Sequence, residues 1–166
     1  MTCFWDGVIQ GLKQFPEFNM KSMTRTAFIN FCKDKCDILF DRYKYIIVEG
    51  FEHNSRDISE VENPEQYNIN DTGIRKKEIK DNHIPRIKEL CKKDEIDGYN
   101  CSPYDSFLLF ICCYFEINIH YKGRDWNNKQ IQVCYLYEHP EKGYENNKAL
   151  FFKASKTHFT YVSYVN

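Results

Sequence analysis

Apolar residues near the start of the chain recur at helical spacing. Phe4, Val8, Ile9 and Leu12 fall on one face, which predicts a helix over residues 4–14 that Pro16 ends. A second helical pattern runs from Thr24 to Phe40, with Phe28, Phe31, Cys32, Cys36, Leu39 and Phe40 on its apolar side. Tyr45-Ile46-Ile47-Val48 then reads as a short buried extended run. From His53 to Lys80 the chain is polar and carries turn signals at Asn63-Pro64 and Asp71-Thr72-Gly73. That stretch predicts a long surface excursion and a candidate substrate-facing loop.

Asn82 is placed to cap a helix over residues 83–93, with Ile84, Ile87, Leu90 and Cys91 inward. Ser102-Pro103-x-Asp105 carries a start signal for the next helix: a serine cap, a proline in the first turn and an acid at the third position. The stretch from Pro103 to Phe115 is apolar nearly all round and so belongs at the centre of a core. Strand patterns follow at residues 117–121, 131–137, 149–153 and 158–164. Helices first and strands afterwards predict an α+β (mixed α/β) class, with helices packed on a small, mostly antiparallel sheet. At 166 residues, one domain over 1–166 is the default.

Composition refines this. Thirteen Phe and twelve Tyr make the expected core ring-rich. Abundant Lys, Asn, Ile, Tyr and Phe with only seven Gly point to an AT-rich coding genome. A net charge of −1 supplies no overall field to draw in nucleic acid or an acidic membrane. The basic run Arg75-Lys76-Lys77 is balanced by Glu78 and Asp81 and reads as a solvated face. No basic region leads into an apolar leader, and the most apolar run is too short to span a bilayer. The expectation is an intracellular, cytoplasmic protein whose eight cysteines are kept as thiols rather than paired in disulfides.

Two residues carry the candidate chemistry. Cys3 opens the first predicted helix in Cys3-Phe4-Trp5-Asp6, where the helix dipole favours a thiolate. His158 lies in Thr157-His158-Phe159-Thr160-Tyr161-Val162 on the last predicted strand, and a histidine can take the thiol proton and return it to a leaving group. Cys101 is a competing nucleophile, because Asp97-Gly98-Tyr99-Asn100-Cys101 also precedes a helix. Cys32/Cys36 and Cys112/Cys113 lack the paired knuckles of structural zinc and read as core. His53, His83, His120 and His139 read as surface or strand residues.

The order of these segments resembles the ovarian-tumour (OTU) cysteine proteases. The resemblance rests on Cys3-Phe4-Trp5 before an apolar helix, on the run from Asp105 to Tyr121, and on Phe151-Phe152 followed by Thr157-His158-Phe159. It implies a papain-like arrangement and a thiol hydrolase of deubiquitinase type. The implied partner is ubiquitin or a ubiquitin-like protein, cleaved at its C-terminal glycine, with no cofactor, no metal, no nucleic acid and no membrane. Residence in a host cytoplasm or a virion goes with it, as does the alternative of an inactive OTU-like binding protein. The acid or amide that the family carries two residues after its histidine is Thr160 here, so the resemblance implies a Cys3–His158 dyad. Thr160, Asn166 and Asp6 are the candidate orienting groups, and Trp5 is a candidate channel wall.

Overall fold

The computed structural model describes residues 3–42, 46–53, 79–92, 101–124, 130–155 and 158–166. Helix α1 spans Cys3–Leu12 and leads into a 3-10 turn, Pro16–Phe18. Helix α2 is Arg25–Lys35, α3 Ile38–Arg42, α4 Ile84–Leu90 and α5 Cys101–Phe115. The strands are β1 Ile46–His53, β2 Asn118–Arg124, β3 Gln130–Tyr137, β4 Ala149–Ala154 and β5 Phe159–Val165. They form one sheet in the order β1-β3-β2-β4-β5. Every adjacent pair is antiparallel except β2 with β4. The α+β architecture expected from the sequence is therefore present. Among the described residues no helix is long and apolar enough to cross a membrane.

Local chemistry accounts for most element ends. Thr24 caps α2, its hydroxyl accepting the Ala27 N–H at 3.2 Å. Glu116 takes a left-handed conformation (φ 56°) after α5, and the Ile117 N–H donates to the Cys112 carbonyl, turning the chain into β2. Three expected boundaries are corrected. The helix expected over 24–40 is two helices, although Phe28, Cys32, Cys36 and Leu39 all stay buried across the break. Asn82 caps nothing at α4, because a π-helical turn, Ile79–His83, already winds the chain before it. Helix α5 starts at Cys101, so Ser102 lies inside its first turn and not at its cap. The excursion expected after His53 lies almost wholly outside the described residues.

The core sits between the helices and one face of the sheet. Phe107, Leu108, Phe110, Ile111, Cys112 and Cys113 of α5 are fully buried, as an all-round apolar helix requires. The Phe107 ring is a hub, 4.5 Å from Trp5, 5.1 Å from Phe4 and 6.0 Å from Phe28 between centroids. Burying one such ring contributes about 1.5–3 kcal/mol before its ring contacts are added. Helix α5 lies over β1, β3 and β2, whereas α1 lies over β5. That division decides which helix can serve the end of the sheet that carries His158.

Candidate active site

Cys3, Gly7 and Gly11 recur every fourth residue and so share one stripe of α1. Its two glycines lie against β5 and, at Leu150, against β4. A Cβ on Gly7 would stand 3.1 Å from the Phe159 carbonyl oxygen and 3.5 Å from the Tyr161 nitrogen. A Cβ on Gly11 would meet the Leu150 and Tyr161 side chains at 3.1 Å. Only a residue without a side chain lets helix backbone and strand backbone approach this closely. The order of these contacts shows α1 and β5 advancing in the same direction. One turn back from Gly7, about 6 Å along the axis, is Cys3. One residue back from Phe159, about 3.4 Å along the strand, is His158. The Phe4 and Phe159 rings, each adjacent in sequence to one of the pair, lie 5.1 Å apart.

Cys3 is a partly buried thiol at the first residue of α1. A helix start presents N–H groups and the positive end of its dipole, which suits both a thiolate and a developing oxyanion. His158 is exposed. Its backbone is tied to Ser155, the residue after β4: the Ser155 N–H donates to the His158 carbonyl at 2.8 Å, and the His158 N–H donates to the Ser155 hydroxyl at 3.1 Å.

The remaining site residues are placed differently from expectation. Trp5 is fully buried against Phe4 and Phe107, so it serves the core and walls no channel. The Asp6 carboxylate receives a two-pronged contact from the Arg25 guanidinium, at 3.0 Å to each oxygen, which ties α1 to α2. Asn166 follows β5 at the end opposite His158, about 27 Å away along an extended strand, so it is removed from the orienting role. Thr160 is exposed and paired in register with Lys153. Because Phe159 and Tyr161 face α1, strand alternation turns Thr160 to the other side.

Several other thiols are disfavoured as nucleophiles. Burial pushes Cys32 and Cys112 well above the ordinary thiol range. Burial, with the nearby Cys36, pushes Cys91 up to about 12. Cys101 opens α5, the helix over β1, β3 and β2, while β5 lies beyond β4. Among the described residues no group of three His, Cys, Asp or Glu side chains is arranged to hold a metal ion.

A second thiol–imidazole pair escapes the sequence. His120 Nδ1 and Cys134 Sγ are 3.0 Å apart, directly opposite each other on β2 and β3. The His120 ring stacks on Phe151 of β4 at 4.8 Å. Burial lowers the His120 pKa, favouring the neutral ring, which can accept a hydrogen bond from the thiol. Strand alternation alone places each residue on a face, but only the register makes them neighbours. His83 is similarly drawn in, its Nδ1 lying 2.7 Å from the buried Ser106 hydroxyl of α5.

Comparison with protein-family models, curated proteins and solved structures finds no match to this chain.

Proposed function

We infer that the chain is a thiol hydrolase of OTU-like, deubiquitinase type, with Cys3 as nucleophile and His158 as general base and then acid. One observation carries this reading: Gly7 and Gly11, on the helix that Cys3 opens, lie against the strand that His158 precedes. The scissile carbonyl is that of the C-terminal glycine of ubiquitin or a ubiquitin-like protein. The Cys3 proton passes to the imidazole, the sulfur attacks the carbonyl carbon, and first-turn amides of α1 receive the oxyanion. The imidazolium then protonates the leaving amine, and water hydrolyses the thioester. Electrophiles that mimic the glycine terminus should therefore label Cys3.

A non-catalytic binding role is favoured by a different set of observations. Asp6 is engaged by Arg25, Asn166 stands at the wrong end of β5, and Thr160 faces away from α1. A dyad without an orienting partner loses much of its rate.

Incubation with a ubiquitin probe bearing a C-terminal electrophile separates the two. The protease reading expects labelling that disappears in Cys3→Ala, slows by roughly 100-fold or more in His158→Ala, and persists in Cys101→Ala. A folded wild type that neither labels nor cleaves ubiquitin chains overturns the protease reading.

A further inference from the structure

We propose that the face of the sheet turned away from the helices holds a binding site for a small molecule carrying two or more linked phosphates. At the end of the sheet where β4 finishes and β5 begins is an open hollow of about 650 Å³, lined by Lys122, Arg124, Gln130, Gln132, Lys153 and Ser155. The buried Ile119 and Tyr121 assign one face of β2 to the core, so Lys122 takes the other. The register then sets Gln132, Lys122, Lys153 and Thr160 side by side across four strands. Arg124 and Gln130 are paired one step further along β2 and β3. Every one of these side chains donates hydrogen bonds, and no described lining residue is acidic.

The Lys122–Lys153 pairing is the informative feature. These two cations are direct partners on neighbouring strands, about 4.8 Å apart at the backbone, and like charges so placed destabilise a sheet. Neither has a carboxylate partner among the described residues. The chain has 24 acidic residues with which to relieve that repulsion, so its persistence fits an anion that arrives from outside. Lys122 and Arg124 stand about 6.7 Å apart along the strand, so the three cations spread wider than one phosphate group and suit a linked pair. The lysines act as point charges, and the arginine adds a third positive charge at the rim. A concave volume of this size matches a nucleotide-sized ligand, and the floor is the backbone of Gly123 and Ala154.

Isothermal titration with inorganic pyrophosphate, ADP and orthophosphate in low salt is the test. Pyrophosphate and ADP should bind, orthophosphate should bind roughly tenfold more weakly, and raising ionic strength should weaken all three. The double variant K122Q/K153Q should weaken pyrophosphate binding at least about tenfold. It should also melt, without ligand, at or above the wild-type temperature, because the like-charge contact is gone. R124Q, measured in parallel, should weaken binding in the same direction, and the exposed Lys142→Gln should not. The proposal is overturned if the folded wild type takes up no pyrophosphate, or if both lining variants bind it as wild type does. Tighter uptake of a single-stranded RNA 12-mer than of ADP also overturns it, in favour of a nucleic-acid surface.

Discussion

Substitution of Gly7 tests the seating of α1 on β5 most directly. A methyl group at Gly7 would lie 3.1 Å from a backbone carbonyl oxygen, a few tenths of an ångström inside ordinary contact. The partner is backbone and cannot rotate aside. For Gly7→Ala, improved helix propensity of about 0.5–1 kcal/mol offsets this small clash, so stability stays within about 1 kcal/mol of wild type. For Gly7→Val, the added methyls press on the strand and β-branching adds crowding, costing about 1–3 kcal/mol. In a chain of this size that lowers the melting temperature by about 2–4 °C per kcal/mol. The helix must lift by roughly 1 Å, which carries Cys3 from its place and slows probe labelling about 100-fold. Gly11→Ala is the control. Its Cβ meets only the ends of the Leu150 and Tyr161 side chains, which can turn away, so labelling should hold near the wild-type rate. Melting curves and labelling rates for the three variants decide the matter. Gly7→Val with wild-type melting and wild-type labelling refutes the backbone-to-backbone contact, and equal slowing by Gly11→Ala refutes the special place of Gly7.

Gly123→Ala should destabilise the protein by about 2 kcal/mol or more in urea unfolding, because its Cβ would collide with the Ala154 carbonyl and force β2 from β4. Wild-type unfolding would show that the two strands separate easily. His120 supplies a pH signature. Its folded pKa is lowered by burial, so below the ordinary histidine value the unfolded chain binds a proton that the folded chain excludes. Stability should therefore fall as pH drops through about 6.5 and level off below the folded pKa, with a limiting slope of about 1.4 kcal/mol per pH unit. His120→Gln should flatten that part of the curve, and an unchanged slope would assign the effect to other groups.

Hydrophobic periodicity along the chain was enough to place α1, α5 and the last four strands to within a few residues, because each has a strong local pattern and local terminators. The single-helix reading of 24–40 failed where periodicity does not report a break: Phe28, Cys32, Cys36 and Leu39 keep one inward face through it. Cys3 and His158 were legible as residue types in suggestive local settings. Whether their elements can neighbour each other is a matter of the sheet order, of β5 at its edge, and of two glycines that let α1 lie against that strand. The fates of Asp6, Trp5 and Asn166 were likewise set by partners far away in sequence: Arg25, Phe107 and the length of β5. The His120–Cys134 pair and the Lys122–Lys153 contact depend wholly on register. A strand's alternation states which face a residue takes, and only the pairing of strands in three dimensions states which residue stands beside it.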